Sequence, residues 1–165
     1  MSLPDTDRDA EFMRIALAEA ERAKEIGEVP VGAAVVYDGK VISVGHNQRE
    51  KNGMATAHAE LLAIEEACRS LGGWRLSGCT LYVTLEPCPM CAGSIVNSRI
   101  DRVVFGARDS AAGCLGSVIN FNSYPFNHAF SVSNGVCEPE CKRLLRDFFE
   151  EQRQKKKRDN IQNEK

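Results

Sequence analysis

Residues 80–91 read Thr80-Leu81-Tyr82-Val83-Thr84-Leu85-Glu86-Pro87-Cys88-Pro89-Met90-Cys91, and residues 56–60 read Thr56-Ala57-His58-Ala59-Glu60. The longer stretch passes from an apolar, β-branched run into a proline-marked helix start, the pattern of a strand feeding a helix. It predicts a strand over Thr80–Leu85 and a helix opened by Pro87 that buries Ile95 and Val96 and ends near Ser98. Cys88 and Cys91, three apart in the first turn, share a face, as two ligands of one tetrahedral ion require. Unpaired N–H groups and the helix dipole favour thiolate there, and thiolate is the form that binds metal.

The shorter stretch opens a second helix, predicted from a Thr56 cap to Leu71, with Leu61, Leu62, Ala63 and Ala67 inward and Gly72-Gly73 as its stop. On a regular helix, His58 and Glu60 would point about 200° apart, at roughly 100° per residue. Both approach one ion only if the helix presents its end. Two helix N-termini are therefore expected to converge on the metal, with the C-terminal end of the Thr80–Leu85 strand aimed at the same point.

His58, Cys88 and Cys91 make three protein ligands and leave the fourth position to water. Such open zinc sites are catalytic, whereas sites closed by four protein ligands are structural. Closure would need Cys68, Cys79, Cys114, Cys137, Cys141, His46 or His128. Cys141 falls on an apolar helical stripe and Cys79 follows Gly78 at a strand start, so these read as core thiols.

Outward from the metal pattern, helices and strands alternate. Asp5 to about Ile26 is predicted as an amphipathic helix capped by Thr6, with Phe12, Ile15, Ala16, Ala20 and Ala23 recurring at helical spacing. Val31–Tyr37 reads as a strand covered on both faces. Asp38-Gly39 gives a tight turn into a second strand, Lys40–Gly45. A polar loop spans His46–Ala55, and Arg102–Ala107 is a fourth strand. Residues 108–128 form a long Gly-, Ser- and Asn-rich connection, a length that usually signals function.

Phe130–Ser133 completes five strands, and Pro139 opens a last helix striped by Cys141, Leu144, Leu145, Phe148 and Phe149. From Gln152 the stripe vanishes, and Lys155-Lys156-Lys157-Arg158 begins a tail expected to fray. The arrangement is one domain over residues 1–150 with a basic tail over 151–165. Its class is α/β, a three-layer α/β/α sandwich around a mixed five-stranded sheet.

At 165 residues the chain supports one full core, and its net charge of -2 means that any polyanion must meet a local basic patch. No basic segment leads into an apolar run at Met1–Asp7, and no stretch reaches the roughly 20 apolar residues of a membrane span. Seven cysteines, an odd number, fit reduced thiols and a cytoplasmic setting.

His-x-Glu followed by Pro-Cys-x-x-Cys is the general signature of zinc-dependent nucleobase deaminases. Over about Asp9–Phe149 the sequence resembles, more narrowly, the bacterial tRNA adenosine deaminases, which convert wobble adenosine to inosine. Further stretches carrying the resemblance are Glu28-Val29-Pro30-Val31-Gly32-Ala33, Gly45-His46-Asn47, Val104-Phe105-Gly106-Ala107-Arg108-Asp109, Asn127-His128 and Asp147-Phe148-Phe149. At the two positions after Ser110 this chain has Ala111-Ala112, where many relatives carry Lys-Thr.

The resemblance implies a cytidine deaminase-like fold, one zinc ion per subunit on His58, Cys88 and Cys91, and Glu60 as the unligated proton carrier. It implies that Asn47 and Asp109 bind the target nucleoside, with Arg108 beside the cavity mouth, and that the protein is a homodimer acting on the anticodon loop of tRNA. Tyr124, Phe126 and Phe149 are aromatic candidates for stacking on loop bases, and Lys155 and Lys156 for phosphate contacts. Read without the resemblance, Asn47 is a turn residue, Phe149 a core residue and the lysine run a solvated surface. Glu86, before a proline at a strand end, reads as structural. Two rivals remain: a deaminase of a free base or nucleotide such as guanine or deoxycytidylate, and a non-catalytic module stabilised by zinc.

Overall fold

Gly32–Tyr37 (β1) is an interior apolar strand, buried along its first five residues. Asp38 and Gly39, with φ of +48° and +71°, turn it into Lys40–His46 (β2), as the Asp-Gly pair requires. On its other side β1 pairs antiparallel with Cys79–Leu85 (β3). Parallel pairing then adds Arg102–Ala107 (β4) and Ser131–Asn134 (β5). The order β2-β1-β3-β4-β5 gives the expected mixed five-stranded sheet. Only the Asp38-Gly39 hairpin was legible locally; the β1–β3 pairing is made by the fold. The computed structural model describes residues 5–163. Residues 1–4, part of the Met1–Asp7 stretch read for a targeting signal, and Glu164 and Lys165 of the tail lie outside them.

The helices are Asp5–Glu25 (α1), the single turn Arg49–Asn52 (α2), Ala59–Leu71 (α3), Pro89–Ser98 (α4) and Glu138–Asn163 (α5). Side-chain alternation sends Val35, Leu81, Val83, Val103 and Phe105 to one face of the sheet, where Ala63, Ile64 and Ala67 of α3 and Ile95 and Val96 of α4 cover them. Val36, Tyr82 and Val104 face Met13 and Ala16 of α1 and Cys141 of α5. The result is three layers, helix on sheet on helix. Gly45 lets α3 approach closely: a Cβ there would lie 2.5 Å from the Ala59 carbonyl oxygen and 2.8 Å from the Ala63 nitrogen.

Several boundaries differ from the expectations. Thr6 lies inside α1, which includes Asp5, and so does not cap it. His58, not Thr56, precedes α3, and Pro89, not Pro87, takes the first position of α4. The polar loop after β2 contains α2. Phe149 leaves the stripe of α5: Cys141 and Phe148 are buried at i and i+7, and Phe149, one residue or about 100° further round, is 45% exposed. The tail expected to fray is drawn as part of α5. α5 continues unbroken past Gln152 to Asn163, because Gln, Lys, Arg and Glu are good helix formers and a solvated extension needs no apolar stripe. Among the described residues, no helix is long and apolar enough to cross a membrane.

Candidate active site

His58 and Cys88 each sit at the cap of their helix in extended conformation, with φ/ψ of −77°/150° and −76°/175°. This resolves the angular problem of His-x-Glu. His58 has not yet entered the helix, so its side chain does not follow the 100° step, and it meets the same space as Glu60 in the first turn of α3. Cys91, three residues after Cys88, is in the first turn of α4 and fully buried. Both N-termini converge at the C-terminal end of β3.

The Cys88 and Cys91 Sγ atoms lie 3.6 and 3.5 Å from His58 Nδ1. A zinc ion with Zn–S of about 2.3 Å and Zn–N of about 2.05 Å at tetrahedral angles sets that separation at about 3.6 Å. The three side chains therefore fit zinc without rearrangement. Among the described residues no fourth His, Cys, Asp or Glu joins this group. Burial pushes the Cys79 thiol up to about 11 and that of Cys141 up to about 12, which suits protonated core groups and not ligands. Within the triad, a hydrogen bond from the Cys91 thiol is the main cause holding Cys88 down, to about 4, and its counterpart raises Cys91. The Cys88 hydrogen bond, opposed by burial, raises His58.

Glu60 is 4% exposed. Burial is the chief reason its carboxyl is pushed up to about 7, with backbone hydrogen bonding and the His58 charge acting the other way. A carboxyl near neutrality both accepts and returns a proton at working pH. It lines a cavity of about 240 Å³ together with His58, Ala59 and Cys88. Val29, Val31 and Leu85 supply apolar walls, and Asn47, Arg49, Glu86, Asp109 and Ala112 supply the rest. That volume is below the roughly 300–1,000 Å³ of drug-sized sites and suits a single base.

Asn47 is 7% exposed; its amide donates to the Val29 carbonyl at 3.2 Å and accepts the Arg49 N–H at 3.2 Å. Its turn reading and its cavity position hold together, since an amide has further donor and acceptor capacity. Asp109 accepts the N–H groups of Ala111 and Ala112 at 2.9 and 3.2 Å. Arg108 is exposed and does not line the cavity; it packs over Gly116. Tyr124 and Phe126, each about half exposed, cluster with Phe121, outside the cavity lining. Phe149 and Lys156 line a second cavity of about 370 Å³, which shares Val29, Asn47 and Arg49 with the first; Lys155 lines neither. Sequence reasoning missed Val29, Arg49 and Ala112 because a wall residue carries no chemical signature.

Comparisons with known proteins agree with this geometry. The family described as the cytidine and deoxycytidylate deaminase zinc-binding region matches residues 6–107. The tRNA-specific adenosine deaminase of Bacillus subtilis (strain 168) is 52% identical over 151 residues, covering 91% of this chain and 94% of that protein. The tRNA-specific adenosine deaminase of Aquifex aeolicus (strain VF5) is 49% identical over 151 residues, covering 91% and 96%. A solved structure from biochemical and structural studies of A-to-I editing by tRNA:A34 deaminases at the wobble position of transfer RNA superposes with a TM-score of 0.80 at 46% identity, covering 82% of this chain and 99% of that one.

Proposed function

The chain belongs to the zinc-binding cytidine and deoxycytidylate deaminases and, within them, to the tRNA-specific adenosine deaminases, and from that premise we propose that it converts adenosine to inosine at the wobble position of a tRNA anticodon. One observation carries the chemistry: of three ligands at tetrahedral zinc spacing, His58 and Cys88 line a base-sized cavity together with Glu60, a buried carboxyl outside the ligand group. When bound, zinc supplies Lewis acidity that lowers the pKa of a coordinated water toward about 7.

His58 Nδ1 and the sulfurs of Cys88 and Cys91 would hold that ion. Glu60 takes the proton released as water adds to carbon 6 of the purine and delivers it to the adjacent ring nitrogen, its general role in zinc deaminases. It then assists protonation of the departing amine, so that adenosine and water give inosine and ammonia. Asn47 and Asp109 orient the nucleoside, and Val29, Val31 and Leu85 keep bulk water from the reacting face. A flipped base enters such a cavity from a single-stranded loop, which an anticodon provides. Phe149 and Lys156, in the adjoining cavity, face the neighbouring nucleotides, while Arg108, Tyr124, Phe126 and Lys155, which line neither cavity, contact the RNA further out. The resemblance supports a homodimer acting in the cytoplasm.

The test is direct. Purified protein is incubated with a tRNA transcript bearing adenosine at the first anticodon position, and separately with guanine and deoxycytidylate; inosine and ammonia are measured. Inosine confined to that tRNA position is the expected result. Turnover of guanine or deoxycytidylate with inert tRNA would move the protein to the free-substrate deaminases.

A further inference from the structure

Glu86 stands two residues before Cys88, and its side chain is 2% exposed. Burying a carboxylate is costly unless protein donors replace water. Here all the side-chain partners come from one segment of the long connection. Leu115 and Ser117 donate backbone N–H groups to Oε2 at 3.1 and 3.2 Å. Asp109 donates its backbone N–H to Oε1 at 3.4 Å, and the Ser117 hydroxyl donates to the same oxygen. The segment lies so close that a Cβ on Gly113 would collide with Oε2. Cys114 adds a backbone bond to the Pro87 carbonyl at 2.9 Å. Residues 109–117 are thus docked onto the turn that carries Cys88, and from them Asp109 and Ala112 line the substrate cavity.

We propose that Glu86 is a positioning residue for the deamination: its carboxylate clamps the 109–117 segment to the metal-bearing turn and so fixes Asp109 at the substrate. The inference rests on the reading of this cavity as the tRNA adenosine site. The requirement for a carboxylate is specific. Four donors point at two oxygens, and an ionised carboxylate has two acceptors and no donor. Glutamine has the same shape, but its NH2 group would face two of those donors. Glu86→Gln releases the segment without opening a cavity.

The experiment measures steady-state deamination of wobble-adenosine tRNA by the wild type, Glu86→Gln, Asp109→Ala and the double variant, with zinc content and Tm for each. Glu86→Gln should keep one zinc per chain and raise KM roughly tenfold, with kcat changed less than about threefold. In the Asp109→Ala background the same substitution should change KM by less than about twofold, because its effect passes through Asp109. Ser117→Ala removes only the hydroxyl donor; it should raise KM by about twofold to threefold, and it keeps the proposal refutable if Glu86→Gln does not fold. An unchanged KM in the variants, or KM effects of Glu86 and Asp109 that multiply independently, overturns the proposal. Wild-type protein inert on tRNA would instead remove the functional reading, and this inference with it.

Discussion

Glu60 is held near neutrality by burial, a cost the protein carries at a position where its neighbours are metal ligands and a cavity. Replacing it with alanine leaves His58, Cys88 and Cys91 in place. We expect Glu60→Ala to retain one zinc per chain by metal analysis while turnover falls by at least about 10²–10⁴-fold. A second residue-scale expectation concerns the buried network of Asp9. Tyr82 donates to its carboxylate at 2.8 Å and Arg102 at 2.8 and 2.6 Å, tying α1 to β3 and β4. Burial acts to raise its pKa, but the bonds from Arg102 and Tyr82 outweigh it and the value is lowered. The sign follows. A depressed carboxyl contributes stability above its unfolded pKa of about 3.9, and that contribution is lost as pH falls toward and through the folded value. Asp9→Asn should cost about 2 kcal/mol at pH 7 in denaturant titrations, and the gap to the wild type should shrink below pH 4. A gap that is constant with pH would mean that shape and not charge is responsible.

Among elements, α3 is the one whose position the site cannot do without, since its N-terminal end brings both His58, at the cap, and Glu60, in the first turn. Its distance from β2 is set by the absence of a side chain at Gly45. Gly45→Ala puts a methyl group against the α3 backbone, which cannot yield as a flexible side chain would. We expect a loss of about 1–3 kcal/mol, seen as a Tm lowered by several degrees, together with weaker zinc retention. α5 presents the opposite case. Its last eleven described residues are exposed and carry Arg153, Lys155, Lys156, Lys157 and Arg158. Ending the chain at Gln152 should leave Tm nearly unchanged while tRNA binding weakens and its salt dependence becomes shallower. An unaltered salt slope would take the basic turn of α5 out of the RNA interface. The helical character of that turn was not legible in the sequence, because a pattern that stops being amphipathic predicts only that burial stops.

For the whole molecule, the metal is a tie between two helices on one face of the sheet. Chelation should abolish turnover and lower Tm by on the order of 5 °C, with both restored by one equivalent of zinc per chain. An active chelated protein would contradict the metal-dependent reading. Sheet topology explains why the site lies at one end. The C-terminal ends of β2, β3 and β4 and the N-terminal end of β1 meet there, so the residues just outside them converge: Asn47, Glu86, Asp109 and Val31. The ends of a sheet are where backbone groups run out of ladder partners and side chains from different strands come within reach of one ligand.

The ligand set and the class of fold were determined by sequence alone, because metal chemistry needs particular atoms at a short chain separation, and helices and strands leave periods of 3.6 and 2 in the apolar pattern. The cavity's walls, the second antiparallel pairing at β1, and the docking of residues 109–117 on Glu86 were decided only by tertiary structure. Each joins segments whose separation along the chain carries no periodicity, and the strand pairing and the docking rely largely on backbone N–H groups, which every residue except proline possesses and which leave no mark in the sequence.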